Sequence, residues 1–304
     1  AGIAFTGSTG TAHIINRQLA ARPVGPIPFI AETGGQNCII VDSTALPEQV
    51  VDDVIASAFQ SAGQRCSALR VLFIQTDIAD NTLEMLAGAM ASLKAGDPRL
   101  LCSDLGPVID NGARTELQKH IDRMHKEATF IASVALEDQC ADGSFIPPHV
   151  FEIRSLDQLT EEVFGPVLHV IRYSSDQLGA VIQQINDTGY GLTLGIHSRI
   201  QAFTETVFRN TIAGNTYINR NMVGAVVGVN PFGGRGLSGT GPKAGGPNYL
   251  LRYSGPLMQP DTQPEPQYAW SIKRNPQPHP EQSLVTNAAA AMTKWKATAC
   301  LLYT

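Results

Sequence analysis

Cys66 is the residue on which chemistry could turn. It stands in Ser61-Ala62-Gly63-Gln64-Arg65-Cys66-Ser67, after a glycine that closes a helix and before an apolar strand over 68–75. A thiol at a helix-to-strand turn is placed to act as a nucleophile. The thiolate is the reactive form, and its fraction depends on exposure and on nearby positive charge. Arg65 is the neighbouring charge in the sequence. A lone cysteine is more often a small buried apolar side chain, so the other candidates decide. Glu32 lies in Ala31-Glu32-Thr33-Gly34-Gly35-Gln36-Asn37, a carboxylate before a Gly-Gly turn where backbone can approach closely. It reads as a general base or as a solvated turn acid. Phe5-Thr6-Gly7-Ser8-Thr9-Gly10 joins a strand to a helix. Free N–H groups and the helix dipole make such a turn an anion site, and a plain βα turn is the alternative.

These residues need a scaffold, and the composition supplies one. The chain has 304 residues, enough for a sizeable core and for more than one average domain. It is 43% hydrophobic and 16% charged with a net charge of -5, which argues against a nucleic-acid footprint or a basic membrane patch. Cys38, Cys66, Cys102, Cys140 and Cys300 are odd in number and form no CxxC pair. That pattern points to a reducing compartment and away from a disulfide framework or a metal site. No apolar run is long enough to span a bilayer, and the first residues carry no signal-peptide pattern.

Periodicity and turn residues predict alternating strands and helices, hence α/β packing. The opening residues read as a strand followed by a helix over 11–21. A proline-punctuated connector leads to a strand ending near Ile30, and 38–42 reads as a short strand. The spacing predicts a helix over 47–62, capped by Ser43 or Thr44, with Pro47 in its first turn and Gly63 as its stop. Helices are further predicted over 81–93, 114–126, 178–185 and 202–210. Strands are predicted over 129–135, 167–173 and 214–219. Pro147 and Pro148 mark 145–153 as an edge or extended segment. A long glycine-rich loop fills 221–246. From about Gly255 the chain turns rich in Pro and Gln and reads as an irregular arm.

Several short signatures occur in order: Phe5-Thr6-Gly7-Ser8-Thr9, Glu32-Thr33-Gly34-Gly35, Gly63-Gln64-Arg65-Cys66, Glu162-Val163-Phe164-Gly165-Pro166-Val167, Asn186-Asp187-Thr188-Gly189-Tyr190-Gly191-Leu192 and Pro231-Phe232-Gly233-Gly234. Together they resemble the aldehyde dehydrogenase superfamily. Arg65-Cys66-Ser67-Ala68-Leu69-Arg70, Tyr217-Ile218-Asn219-Arg220-Asn221 and Gly239-Thr240-Gly241-Pro242-Lys243-Ala244-Gly245-Gly246-Pro247 narrow the resemblance. They look like the L-glutamate γ-semialdehyde (Δ1-pyrroline-5-carboxylate) dehydrogenase module of bacterial bifunctional proline utilization A.

The resemblance implies an α/β, aldehyde dehydrogenase-like fold. It would comprise part of a Rossmann-like NAD domain over 1–34, a catalytic domain over 35–254, and a tail over 255–304 with an oligomerisation role. It implies NAD-dependent oxidation of the semialdehyde to glutamate, with Cys66 as nucleophile and Glu32 as base. Gly7, Ser8, Glu162 and Phe164 would serve NAD, Ser8 at the pyrophosphate and Glu162 at the nicotinamide ribose. Ser67, Gly224 and Ala225 would hold the substrate α-carboxylate, and Phe232 would flank its aliphatic chain. A bacterial cytoplasmic homo-oligomer, fused to or associated with a proline dehydrogenase module, completes the expectation. The family has Glu where Gly10 stands, and its upstream cofactor half has no counterpart here. A catalytically incomplete fragment or assembly module is therefore the alternative. A CoA-acylating relative is disfavoured by Glu32.

Overall fold

Strand and helix alternate through residues 2–254, the part described by the computed structural model. The expectations for 255–304 lie outside the described residues. β1 (Ile3–Thr6) and β2 (Phe29–Glu32) form a parallel pair linked by α1 (Thr9–Ala20). The helix starts two residues before the predicted 11 because Ser8 caps it, its hydroxyl accepting the Thr11 N–H at 3.2 Å.

β3 (Cys38–Val41), α2 (Pro47–Phe59), β4 (Val71–Gln75), α3 (Thr76–Met90), α4 (Asn111–Glu127), β5 (Thr129–Ser133), β6 (His149–Glu152), β7 (Val167–Tyr173) and α5 (Leu178–Asp187) follow. Then come β8 (Tyr190–Gly191), β9 (Thr193–His197), α6 (Gln201–Asn210), β10 (Asn215–Ile218) and β11 (Arg235–Gly236). Seven strands make one sheet in the order β10-β9-β3-β4-β7-β6-β5, parallel throughout except for the β5–β6 pair. β8 and β11 pair antiparallel on their own.

The central strands are apolar on both faces, as a covered parallel sheet requires. Successive residues face opposite ways. Ile39, Val41, Leu72 and Ile74 pack with Val50, Val54, Leu83 and Met90 of α2 and α3. Cys38, Ile40, Val71 and Phe73 join the opposite core with Leu117 of α4, Val181 of α5 and Val207 of α6.

Four expectations are corrected. α2 has Leu46, not Ser43 or Thr44, at its N-cap. The Thr44 hydroxyl instead donates to Asp42 Oδ1 at 2.6 Å. α2 also ends at Phe59, because Ser61 and Ala62 adopt left-handed angles (φ of 55° and 51°) within a tight turn before Gly63. α3 begins at Thr76, directly after β4, rather than near 81. The segment after Pro147-Pro148 is extended, as one of the two expectations had it, but interior rather than an edge, since β6 lies between β7 and β5. Both prolines precede the strand, so neither removes an N–H from its ladder.

Candidate active site

Cys66 reaches its position through the turn that corrects α2. The chain reverses at Ser61-Ala62-Gly63, where Gly63 has φ of 65° and packs on the Gly165 carbonyl with no room for a Cβ. Asn37 then fixes the loop. Its Nδ2 donates to the carbonyls of Cys66 at 2.6 Å and Ala68 at 2.9 Å, and its Oδ1 accepts the Thr193 N–H at 3.2 Å. Its own carbonyl accepts the N–H groups of Arg70 and Val71. Three strands of the sheet thereby meet at one residue.

The thiol is half-buried. Burial pushes it above its ordinary value, and the carboxylates of Glu162 and Glu32 push the same way against the backbone N–H groups of Ser67 and Cys66. The neighbouring charge suggested by sequence is a correction. Arg65 Nε donates to Ser61 Oγ at 3.0 Å, back across its own turn. The charges that push the thiol up are carboxylates distant in sequence, and the buried Arg70 guanidinium also interacts with Cys66.

Glu32 is the last residue of β2. Its Oε2 accepts the Gly234 N–H at 2.9 Å, while the buried Oε1 has no hydrogen-bond partner. Burial lifts its carboxyl from 4.5 to about 7, against the Gly234 N–H and the charge of Lys243. A carboxylate titrating near neutrality can accept a proton where reactions run. Glycine makes the space: a Cβ on Gly233 or Gly239 would lie 2.9 Å from a carboxylate oxygen. The glycine-rich loop is zipped to β2 by Thr33 N–H to the Ser238 carbonyl (2.9 Å) and Thr240 N–H to the Ala31 carbonyl (3.0 Å).

Glu162 lies over the same region. Its Oε1 accepts from Arg70 Nη2 at 3.0 Å and Nε at 3.3 Å. A Cβ on Gly34 would overlap its Oε2, so the Gly34 gap is filled by this carboxylate. Arg70 Cζ sits 5.1 Å from the centroid of the Phe164 ring, a cation–π contact on a ring that stays 44% exposed. That exposure excludes a core role for Phe164.

The remaining predicted residues fall on loops around this centre. Ser67 is buried beside Cys66, and its carbonyl accepts from Thr193 Oγ1 at 3.3 Å. Gly224 (φ of 85°) and Ala225 follow β10 on a loop rooted by Met222 N–H to Ser57 Oγ of α2 at 3.1 Å. Phe232 is half-buried and backbone-paired with Ala244. Gly7 and Ser8 are exposed at the start of α1, and Gly7 N–H donates to the Glu32 carbonyl at 3.1 Å. The Gly7-Ser8 turn and Glu32 thus share one hydrogen bond.

Asn37, Arg70 and Lys243 carry weight that motif reading alone did not give them. For Arg70 a signal existed: a lone charge inside the apolar run Ala68-Leu69-Arg70-Val71-Leu72 must find a partner.

Residues 1–256 match the model of the aldehyde dehydrogenase family. The chain is 54% identical over 259 residues to the bifunctional protein PutA of Klebsiella aerogenes, covering 83% of this chain and 20% of that protein. A crystal structure of a variant of Bradyrhizobium japonicum proline utilization A superposes with a TM-score of 0.81 at 56% identity, over 83% of this chain and 26% of that one. The 1-pyrroline-5-carboxylate dehydrogenase from Thermus, solved with bound NAD, gives 0.76 at 34% identity over 83% and 49%. The chain spans about a fifth of the length of the PutA relatives it matches.

Proposed function

This chain belongs to the aldehyde dehydrogenase family, and we propose that it carries the nucleophile and base of an NAD-dependent enzyme oxidising L-glutamate γ-semialdehyde to L-glutamate. The observation that carries this reading is that Glu32, its carboxyl raised by burial to about 7, lies within electrostatic reach of Cys66. The semialdehyde and NAD are supported by the relatives' names and by the solved complex of the Thermus enzyme.

The residues present fit NAD. Gly7 and Ser8 stand exposed at the start of the 12-residue α1, where the first-turn N–H groups and the helix dipole favour a pyrophosphate. Glu162 acts on the thiol and Phe164 presents a partly exposed ring beside Arg70, the partner of Glu162, which suits ribose and ring contacts. NAD, when bound, supplies the two-electron acceptor. Cys66 attacks the aldehyde carbon to form a thiohemiacetal, and its backbone N–H is one donor to the developing oxyanion. Oxidation leaves a thioester on Sγ. Glu32 takes a proton from water, which releases glutamate and restores the thiol. Ser67, Gly224 and Ala225 hold the substrate carboxylate, and Phe232 lies along its methylenes.

On the same reading 1–34 is part of the cofactor domain, 35–254 the catalytic domain and 255–304 an oligomerisation tail. The protein works as a homo-oligomer in the bacterial cytoplasm, joined to a proline dehydrogenase module. Among the described residues no helix is long and apolar enough to cross a membrane. A second reading, a segment competent only within a larger assembly, is favoured by the fifth of PutA length that the chain spans.

The test is NADH formation by the purified chain with the semialdehyde and NAD. Turnover lost in Cys66→Ala supports the first reading. Turnover that survives Cys66→Ala removes Cys66 as nucleophile. A folded chain that binds no NAD supports the second.

A further inference from the structure

Lys243 has no part in the chemistry described so far, yet it lies beside the base. Gly233 separates them. A Cβ there would meet Glu32 Oε1 at 2.9 Å, Lys243 Cα at 3.0 Å and Lys243 Cγ at 3.2 Å. The carboxylate and the lysine stem therefore flank the space of a single absent methyl group. The arrangement is braced. Phe232 and Ala244 exchange backbone hydrogen bonds at 3.0 and 2.8 Å, and Asn215 accepts the Gly233 N–H through Oδ1 while donating from Nδ2 to the Pro231 carbonyl. The ammonium is held away from direct contact with Glu32, because Nζ donates to the Gly214 carbonyl. Glu32 Oε1 is left buried without a hydrogen-bond partner, an arrangement that disfavours its ionised form.

We propose that Lys243 is a positioning residue for the base, a tethered positive charge that keeps Glu32 ionised without forming an ion pair with it. A direct pair would stabilise the carboxylate too well for proton transfer. No nearby charge would leave burial unopposed. A lysine on the far side of Gly233, restrained by a carbonyl, gives an intermediate field. The other groups facing Glu32 act oppositely or on the lysine. The Cys66 thiol and, beyond Gly34, the Glu162 carboxylate are acidic neighbours. Arg235 repels Lys243, whose ammonium is already lowered by burial.

The proposal rests on Glu32 being the base, and the experiment separates the two. Glutamate carboxyl 13C shifts are followed against pH in the folded chain. The signal lost in Glu32→Gln reports Glu32 and is expected to titrate near about 7. Lys243→Met and Lys243→Gln are expected to move that midpoint up by roughly half a unit to one unit, the effect of one charge a few ångströms away in partly screened protein. Lys243→Arg, which keeps the charge, is expected to hold it in place. An unmoved midpoint in both neutral variants overturns the proposal and leaves Glu32 as base. So does a Lys243→Arg midpoint that moves with theirs, since the role would then be one of shape. Absence of any near-neutral signal lost in Glu32→Gln overturns both.

Discussion

The Arg70 guanidinium holds the Glu162 carboxylate at 3.0 Å through Nη2 and 3.3 Å through Nε, from a side chain with no exposed surface. The same guanidinium donates to the carbonyls of Gly63 at 2.7 Å and Arg65 at 3.1 Å. One buried charge thus fixes both the turn that presents Cys66 and the carboxylate nearest it. Burial raises the Glu162 carboxyl and lowers the Arg70 guanidinium, each opposed by the other's charge. The pair stays ionised because a guanidinium starts so far above neutrality.

Arg70→Met is expected to destabilise the chain by about 3–5 kcal/mol, since it leaves a buried carboxylate without its counter-charge and the Gly63 carbonyl without a donor. Urea denaturation at pH 7.5 measures this. Arg70→Lys is expected to recover less than half, because an ammonium cannot reach the Glu162 carboxylate and the carbonyls of Gly63, Arg65 and Gly165 as a planar guanidinium does. A loss under about 1 kcal/mol in Arg70→Met would mean that the pair does not organise the turn.

Gly63→Ala tests the turn itself. Its φ of 65° disfavours a side chain, and the new Cβ would overlap the Gly165 carbonyl, which is backbone and cannot swing aside. A loss of about 2–4 kcal/mol is expected. Near-neutral stability by thermal and urea denaturation would show that the turn relaxes freely.

Much of this was legible in the sequence, and the exceptions share a cause. β7 matches its predicted bounds because an apolar run between turn residues states its own length. The end of α2 was misread because Ser61 and Ala62 are ordinary helix residues. Their left-handed angles are imposed by Gly63 packing on Gly165, a contact a hundred residues away. The interior position of β6 likewise depends on pairing with β7, which two prolines before the strand do not forbid. At the site, the residue types of Cys66 and Glu32 marked two positions that the fold brings into electrostatic reach of each other. Arg65 misled because sequence adjacency is not spatial adjacency: the charges that push the thiol up come from β2 and from the loop before β7.

Asn37→Ala removes both donors to the Cys66 and Ala68 carbonyls and the acceptor for Thr193. Leaving these groups unpaired is expected to cost about 2–4 kcal/mol. Asn37→Asp keeps the acceptor and loses the donors, so it is expected to be no better. Both variants should slow Cys66-dependent turnover at least tenfold through the loosened loop. Unchanged stability and turnover in Asn37→Ala would show that the loop is held by other contacts.

Glu32 also makes stability depend on pH with a definite sign. Its carboxyl rises from 4.5 to about 7 on folding, so the folded state binds the proton more tightly. Stability from this group is fully present below 4.5 and is lost as pH rises through about 7. With allowance for partial exposure, the loss is about 1–2 kcal/mol. Glu32→Gln, which cannot ionise, is expected to gain that amount on wild type at pH 8 and little at pH 4.5 or below. Chemical denaturation of both proteins across this range measures the difference. A difference that is constant with pH would show that Glu32 ionises alike in both states.

The thiol completes the argument. Burial and two carboxylates hold Cys66 above its ordinary value, with Glu162 the stronger of the two. Cys66 is therefore kept as a thiol at neutral pH, and its alkylation by iodoacetamide is expected to be slower than for a free cysteine and to rise with pH past 9. Glu162→Gln removes the larger charge while keeping the shape. It is expected to shift the alkylation profile to lower pH and to speed the reaction at pH 8 several-fold, even though Arg70 loses its partner. Cys102 is exposed and reacts independently, so the rate is read on the peptide containing Cys66 by mass spectrometry. A profile unmoved by Glu162→Gln would mean that burial alone sets the thiol. A shift to higher pH would mean that the Arg70 pair, by ordering the turn, matters more to Cys66 than the charge of the carboxylate.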